Sequence, residues 1–390
     1  MPLQFHNNEQ ALTLGVEMEI QVLDAKSLLL TPRASEIING LNNKKLAKEM
    51  FRSTLELITG VCNDAHQAVA DLEQTMSEVN MLAKQSGLRF AGTGTNPVAE
   101  YRDRIVSASE RYHQLMDRNQ WLIRRMAVYG LHVHIGMRNA EECMRFNNFY
   151  LRFVPHLIAL SASSPFWRSY DTGLMAARPT MYEAHPTSGM PYLSNGWNDF
   201  MRVYDSMLQT GSIGSMKDIW WDIRPSPGYG TLELRMCDGP ATMKELKAIV
   251  AFIHLLAYWF DDHGKQYFEK HKFVPDRWII RENKWRAIRH GTESSLIDHE
   301  TLEVISFVDE INEWLVKLEP YTSRLNYGED VQTIHDIIKK GNSSSRQRKV
   351  LQSFPGYDDA FGKESQPSSE SLMKVVEHNV MEFEKGEPVW

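Results

Sequence analysis

Cysteine is scarce in this chain, and long apolar runs are missing from it. The three cysteines, Cys62, Cys143 and Cys237, form no metal or redox motif and no even-numbered disulfide framework, which is typical of a reducing compartment. No segment approaches about eighteen consecutive apolar residues, and no basic stretch followed by an apolar run opens the chain. These absences argue against a membrane-spanning protein and predict a cytoplasmic location.

An excess of positive charge is absent as well. With 43 basic and 50 acidic residues the formal net charge is -7, which argues against nucleic acid or an anionic membrane as the main partner. The chain has no Gly-x-x-x-x-Gly-Lys-Ser/Thr loop, which excludes a P-loop site, and Gly-Thr-Gly-Thr at 92–95 is too weak to indicate a dinucleotide fold. Without a repeat or a firm boundary, the 390 residues predict a single domain over 1–390.

Residues 12–22 alternate between apolar positions and polar or glycine positions, which is the period of a strand with one buried face. Glu17 and Glu19 share its polar face, with Cα atoms about 6.5 Å apart. Glutamate is depleted in strands, so two in one short strand need an explanation. Further strands are predicted at 54–61, 88–95, 129–138, 219–225 and 230–237.

Helical periodicity separates these strands and dominates the last third of the chain. Helices are predicted at 64–86 with Asp64 as N-cap, 107–127, 141–161, 197–208, 242–261, 276–289, 298–318 and 330–340. The charges at 42–49 predict a solvated helix end. Residues 341–370, rich in Ser, Lys, Gln and Gly, predict a loosely held surface connection before a last amphipathic helix.

The other predicted strands also divide into an apolar and a polar face. Their polar positions are Glu56, His132 and His134, Asp222 and Arg224, and Glu233 and Arg235. A merely solvated face mixes Lys, Thr, Ser and Gln, whereas these positions include no lysine. Like charges about 4 Å apart cost on the order of 4 kcal/mol at an effective dielectric of about 20, and a cation would relieve that repulsion. The set therefore favours a metal site over a solvated sheet face.

The ligand types indicate which metal and which chemistry to expect. Carboxylate oxygens suit Mg²⁺ or Mn²⁺, and Mg²⁺ keeps coordination positions open for phosphate oxygens. Arg235 follows Glu233 on the same face, where its charge would stabilise a transferring phosphoryl group. The pattern predicts nucleotide-dependent phosphoryl transfer.

Several segments carry a family resemblance: GVEME at 15–19, GLHVHIG at 130–136, residues 152–165 and above all WDIRPSPGYGTLELR at 221–235. They resemble the carboxylate-amine ligases of the glutamate-cysteine ligase type 2 family over about residues 12–291. The resemblance implies an α+β catalytic domain in which a six-stranded antiparallel sheet curves into a half-barrel with helices on its outer face, as in glutamine synthetase.

The resemblance also implies roles for single residues. It implies that Mg²⁺ is held by Glu17, Glu19, Glu56, His132 and Glu233, that His134 contacts nucleotide phosphate, and that Arg235 and Arg224 stabilise phosphate. Family position places Arg286 and Arg289 near the substrate. Asn96 stands where family members have histidine, so it could hydrogen-bond to a substrate but could not titrate.

The implied activity is ATP-dependent formation of an amide. ATP would convert a carboxylate into an acyl phosphate, and an amine would then displace the phosphate, with Mg²⁺ or Mn²⁺ neutralising charge. Glutamate and cysteine are the implied substrates, which would make γ-glutamylcysteine as in glutathione biosynthesis, and a homodimer is implied too. Specificity depends on loops such as 168–195, so the sequence leaves both substrates open.

Two other classes of function stay open at this point. A metal-dependent hydrolase would use His132, His134 and Glu17 to activate water, and it would cleave an amide or ester without nucleotide. A non-catalytic nucleotide- or metabolite-binding protein on the same fold would bind ATP and release no phosphate.

Overall fold

The computed structural model describes residues 3–100, 105–354 and 367–390, and its centre is a seven-stranded antiparallel sheet. The strands of this sheet are β1 (Leu14–Asp24), β2 (Leu46–Lys48), β3 (Thr54–Ile58), β4 (Leu88–Ala91), β5 (Gly130–Gly136), β10 (Ile223–Ser226) and β11 (Thr231–Asp238). Short strands form three small two-stranded sheets, β6 (Phe166–Trp167) with β7 (Tyr170–Asp171), β8 (Ser188–Gly189) with β9 (Trp220–Trp221), and β12 (Ser295–Ile297) with β13 (Val304–Ser306).

The long strand β1 organises the large sheet. The strand order is β10-β11-β5-β1-β3-β2, and β4 pairs with the C-terminal part of β1. Side chains alternate along β1, so that Val16, Met18 and Ile20 are buried on one face. The sheet stays open and does not close into a barrel, because the two ends of the strand order, β10 and β2, do not pair.

The described part of the chain forms thirteen α-helices, and some of them cover the apolar face of the sheet. The helices are α1 (Ala34–Leu41), α2 (Ala65–Ser86), α3 (Glu110–Asn119), α4 (Ala140–Tyr150), α5 (Val154–Ser161), α6 (Arg178–Tyr182), α7 (Trp197–Gln209), α8 (Met243–Lys270), α9 (Arg277–His290), α10 (Phe307–Leu325), α11 (Gly328–Lys340), α12 (Ser343–Gln352) and α13 (Ser369–Lys385). Helices α2, α4, α5 and α8 contact the strands directly and share one apolar core with them. The polar face is thereby left for a site.

Local signals explain several helix ends. Asp64 accepts a hydrogen bond from the backbone N–H of Gln67 at 2.8 Å, so the predicted N-cap of α2 is confirmed. Thr242 caps α8 in the same way through Glu245. Among the described residues, no helix is long and apolar enough to cross a membrane.

The structure differs from the predicted elements in several places, among them the following three. The sheet has seven strands rather than six, because β2 is too short to show a period. The predicted strand at 219–225 is divided at Asp222 between β9 and β10. The helix predicted at 298–318 begins only at Phe307, since β12 and β13 form a hairpin before it.

The prediction of a loose connection at 341–370 is wrong for its first part. Residues 343–352 form α12, in which Ser344, Arg346 and Gln347 are buried. The polar composition suggested an exposed segment, but these polar groups are buried and hydrogen-bonded inside the protein. Arg346, for example, lies between two buried glutamates. Residues 355–366 lie outside the described part of the chain, and α13 is the expected last helix.

Candidate active site

The polar face of the sheet borders a cavity of about 200 Å³. Charged side chains from the sheet line it, namely Glu17, Glu19, Glu56, His132, Arg224 and Arg235. The remaining lining includes apolar side chains from segments outside the sheet, namely Met50, Phe51, Leu115, Met126, Val128, Tyr182 and Trp220. The cavity thus combines a highly charged wall with apolar surroundings, where charge interactions are strong.

Strand register brings the charged residues of this wall together. The directly opposed pairs are Glu17 with His132, Glu19 with Glu56, His134 with Glu233, and Glu233 with Arg224. Directly opposed residues of antiparallel strands have Cβ atoms about 4.5 to 5.5 Å apart. Residues far apart in sequence therefore form one cluster.

Glu17 lies between the two histidines of β5. His132 Nδ1 is 3.1 Å from Glu17 Oε2, and His134 Nε2 is 3.2 Å from Glu17 Oε1. Burial raises the pKa of Glu17, but hydrogen bonds and charge interactions with both histidines outweigh burial and hold that pKa well below its usual range. Glu17 is therefore a carboxylate at neutral pH.

Glu233 is buried between two arginines. It accepts hydrogen bonds from Arg224 Nε at 2.9 Å and Arg224 Nη2 at 2.6 Å, and it also pairs with Arg235 Nη1. Burial raises the pKa of Glu233, but the two guanidinium groups outweigh it and hold that pKa below its usual range. Arg235 is fixed further by Tyr182, whose hydroxyl accepts from Nη2 at 3.2 Å.

Glu19 and Glu56 face each other across β1 and β3. Glu19 Oε2 accepts the backbone N–H of Gly130 at 2.6 Å. Burial, then the charge of Glu49, raises the pKa of Glu19 to about 7. Burial and the charges of Glu49, Glu17 and Glu19 raise the pKa of Glu56 well above its usual value. Opposed carboxylates of this kind destabilise a sheet in the absence of a cation.

The carboxylates and His132 form two groups of metal-ligand atoms. Glu17, His132 and Glu233 make one group, and Glu19, Glu56 and His132 make the other, with the atoms of each group within 4.8 Å of one another. Burial, then Arg235, lowers the pKa of His132 to about 4, so that its imidazole is neutral and able to ligate. All five predicted metal ligands belong to these groups.

The pairing of β11 is irregular just after Glu233. Its register with β5 shifts between Leu234 and Cys237, whereas the Arg235 backbone N–H continues the register with β10 by donating to the Asp222 carbonyl at 2.7 Å. Bulges of this kind are common next to active sites. Arg235 lies on the cavity wall, and both residues after it are buried.

A second cavity of about 340 Å³ lies on another side of Glu17. Glu17 and His134 line it together with Tyr229, whose ring is 73% exposed. The Tyr229 ring stands edge-on to the His134 ring, with centroids 6.1 Å apart. Glu17 thus borders both cavities, and the metal-ligand group to which it belongs lies between them.

Three predicted substrate residues are not among the lining residues of either cavity. The Asn96 side chain is buried, where it donates to Gln21 Oε1 at 3.0 Å and accepts from the Val98 backbone. Arg286 belongs to α9 and pairs with Glu282 one turn earlier in the same helix. Arg289 belongs to the same helix and does not line the cavities described above.

Sequence reasoning missed Glu49 and Arg178, which both line the first cavity. Glu49 was assigned to a solvated helix end, and this is wrong because it follows β2 at the edge of the cavity. Arg178 begins α6, within the loop region expected to set specificity. Neither residue belongs to a strand with alternating polar and apolar positions, so the sequence pattern contains no signal that predicts their place in the site.

The sequence comparisons agree with this geometry. The family model described as glutamate-cysteine ligase family 2 matches residues 13–378. The chain belongs to this family. A relative from Bdellovibrio bacteriovorus, named "Putative glutamate--cysteine ligase 2", is 39% identical over 84% of this chain and 86% of its own length. A relative of the same name from Thermobifida fusca is 33% identical over 100% of this chain and 94% of its own length.

Solved structures show the same fold. A glutamate-cysteine ligase from Francisella tularensis, in complex with AMP, matches with a TM-score of 0.67 at 12% identity, over 97% of this chain and 95% of that one. A bifunctional glutathione synthetase from Pasteurella multocida matches with a TM-score of 0.65 at 14% identity, over 95% of this chain and 53% of that one, so this chain spans about half of its length. As a member of glutamate-cysteine ligase family 2, the protein is a carboxylate-amine ligase.

Proposed function

We propose that the protein forms an amide from a carboxylic acid and an amine in an ATP- and Mg²⁺-dependent reaction through an acyl phosphate. The observation that supports this most is the pair of ligand groups around His132, with Arg224 and Arg235 beside them. Paired metal positions next to fixed guanidinium groups suit phosphoryl transfer, in which charge on phosphate oxygens must be neutralised.

The donor set fits Mg²⁺ or Mn²⁺. Four carboxylates and one imidazole are mostly hard oxygen donors, and the thiols of the three cysteines are not among them. Glu17, His132 and Glu233 would hold one ion, and Glu19 and Glu56 beside His132 would hold another. When bound, the ions would neutralise phosphate oxygens.

The second cavity supports a position for the nucleotide. The exposed Tyr229 ring offers an aromatic face of the kind on which nucleobases stack. His134 reaches the same cavity, and the opposing effects of burial and of Glu233 leave its pKa raised, so the imidazole favours a nearby phosphate. ATP in this cavity would direct its phosphates towards Glu17 and the metal-ligand groups.

The arginines of the first cavity would act on the transferring phosphoryl group. The acid's carboxylate oxygen forms a bond to the γ-phosphorus as the bond to ADP breaks, and the amine nitrogen then attacks the acyl carbon as phosphate leaves. Arg235 is held by Glu233 and Tyr182 before substrate arrives, so its charge needs no reorganisation. The names of the relatives support glutamate and cysteine as the first pair to test.

An ADP-release assay across pairs of carboxylic acids and amines tests the proposal. With ATP and Mg²⁺, we expect ADP to form only when both an acid and an amine are present, beginning with L-glutamate and L-cysteine. Glu56→Gln should abolish this release, since it removes a ligand from one group. The variant should still fold, because it also removes the repulsion between Glu56 and three other carboxylates.

Glu73→Gln is the matched control, since Glu73 is an exposed residue of α2, and it should release ADP at the wild-type rate. Failure of every acid and amine pair to stimulate release, or equal release by Glu56→Gln, would contradict the ligase mechanism. Cleavage of an amide or ester without ATP would support the hydrolase instead.

A further inference from the structure

Lys284 is the only buried lysine in the part of the chain that the structure describes. It belongs to α9, and its Nζ donates to Asp222 Oδ2 at 2.6 Å and to Glu183 Oε1 at 2.5 Å. Burial lowers the pKa of Lys284, but the charges of Asp222 and Glu183 outweigh burial and raise that pKa. Lys284 is therefore an ammonium group that joins two carboxylates from different segments. We call these three side chains the Lys284 bridge.

The Asp222 end of the bridge holds the backbone of Arg235. Asp222 is buried and lies between β9 and β10. Its carbonyl accepts the backbone N–H of Arg235 at 2.7 Å, and its own N–H donates to the Gly189 carbonyl at 2.7 Å. A displacement of Asp222 would therefore displace the main chain that carries the Arg235 guanidinium.

The Glu183 end of the bridge holds α6. Glu183 directly follows Tyr182, the last residue of α6, whose hydroxyl accepts from Arg235 Nη2 at 3.2 Å. Arg178 at the start of α6 donates to the Arg235 carbonyl at 3.3 Å. Gly189 gives Glu183 the space it needs, because a Cβ atom at this glycine, where φ is +82°, would lie 2.5 Å from Glu183 Cγ. Both ends of the bridge thus hold segments that contact Arg235.

Lys284 itself lines neither the first nor the second cavity, whereas Arg235 lines the first. It therefore has no direct access to a substrate there, and any effect on the reaction passes through other residues. Burial of an ammonium and a carboxylate is costly compared with apolar packing, so the bridge is a weak source of stability. Its geometric effect is to fix α9, α6 and the start of β10 relative to one another.

We propose that Lys284 is a positioning residue of the ligase, which holds Arg235 where charge develops as the γ-phosphoryl group passes from ATP to the acid. Charge stabilisation of this kind requires groups that are fixed before the reaction. A misplacement of about 1 Å can lower a rate about 100-fold. The inference rests on the proposed ligase function and names a residue outside its cavities.

The test measures kcat and KM for ATP by ADP release, with a saturating pair of acid and amine. Lys284→Met should lower kcat by about one to two orders of magnitude. KM for ATP should stay within about two-fold of the wild type, because Arg235 does not line the second cavity. Lys284→Arg should restore part of kcat, since a guanidinium can donate to both carboxylates. Lys272→Met is the matched control, because Lys272 forms an exposed pair with Asp276, and it should keep the wild-type kcat.

A second variant separates positioning from folding. Lys284→Met leaves the buried Asp222 without its cation, so its Tm should fall. Adding Asp222→Asn removes the unpaired charge, and this double variant should recover most of the Tm but not the kcat, measured at a temperature where every variant is fully folded.

Two results would overturn the assignment of Lys284 and leave the ligase reaction in place. One is a kcat that recovers together with Tm in the double variant, which would show a structural role only. The other is a wild-type kcat in Lys284→Met. A wild type that releases no ADP with any pair of acid and amine would instead overturn the ligase proposal, and the role of Lys284 with it.

Discussion

His254 is a buried histidine whose protonation state follows from its hydrogen bonds. Tyr327 Oη accepts the Ala65 N–H at 2.7 Å and lies 2.8 Å from His254 Nδ1, to which it donates its own proton. His254 Nε2 then donates to the Leu12 carbonyl at 2.8 Å. In this series of hydrogen bonds, every donor and acceptor has a partner only when the imidazole of His254 is neutral. This network links α8 to the start of the first strand.

The pH dependence of stability should reveal this network. Burial lowers the pKa of His254 from 6.5 to about 4, so the unfolded chain binds the proton more readily between these values. Stability should therefore fall as the pH falls through this window, by about 2 kcal/mol between pH 7 and pH 5 from this residue alone. Urea unfolding at the two pH values measures the loss.

His254→Gln is the comparison for this prediction, because its amide can donate and accept but cannot titrate in this range. The difference in unfolding free energy between wild type and His254→Gln should narrow by about 2 kcal/mol from pH 7 to pH 5. A difference that stays constant with pH would show that His254 does not resist protonation in the folded protein.

The two faces of β1 have separate functions at the level of the element. Leu14 is 1% exposed and opposes Ile135 of β5 on the apolar face, whereas Glu17 and Glu19 line the cavity. In β11, Leu232 and Leu234 are buried in the same way while Arg235 lines the cavity. Packing and chemistry can therefore be changed independently along one strand.

Leu14→Ala should lower the free energy of unfolding by about 2 to 5 kcal/mol, because it leaves a cavity in the core. Leu29→Ala is the matched control, since Leu29 is 48% exposed, and its effect should stay within about 0.5 kcal/mol. Chemical denaturation measures both variants. Equal effects of the two substitutions would mean that the apolar face of β1 is not the packed one.

At the scale of the whole molecule, Arg346 joins three helices that are distant in sequence. It donates to both oxygens of Glu245 at 2.8 and 2.9 Å and to Glu382 at 2.6 Å, and all three side chains are buried. Its guanidinium also lies 4.9 Å from the centre of the Trp390 ring. Through Arg346, helices α12 and α13 are connected to α8. Helix α8 in turn contacts β5 of the large sheet.

Arg346→Met should cost about 3 to 5 kcal/mol of stability, because it leaves two buried carboxylates without their cation. Breaking the exposed pair Arg33 and Glu36 through Arg33→Met should cost less than about 1 kcal/mol. Adding Glu245→Gln and Glu382→Gln to Arg346→Met should recover much of the loss. Unfolding in urea distinguishes these outcomes, and a triple variant as unstable as the single one would contradict the role of unpaired charge.

Much of the sheet could be predicted because strand alternation is a local property. The two-residue period of a strand is enough to mark a set of polar positions on one face, namely Glu17, Glu19, Glu56, His132 and Glu233. Glu49 and Arg178 could not be found in this way, because they follow or lie outside regular strands and reach the cavity only through the path of the chain. Arg346 was misjudged because its partners lie 101 and 36 residues away.

Local sequence is enough to establish which side chains share a strand face, since neighbouring residues of a strand must point to opposite sides. It is also enough to establish the family, because the family's motifs are contiguous in the chain. The strand order, the opposition of Glu19 to Glu56 and the burial of Arg346 follow from the folded chain alone. These features depend on contacts between segments far apart in sequence, which no local pattern encodes.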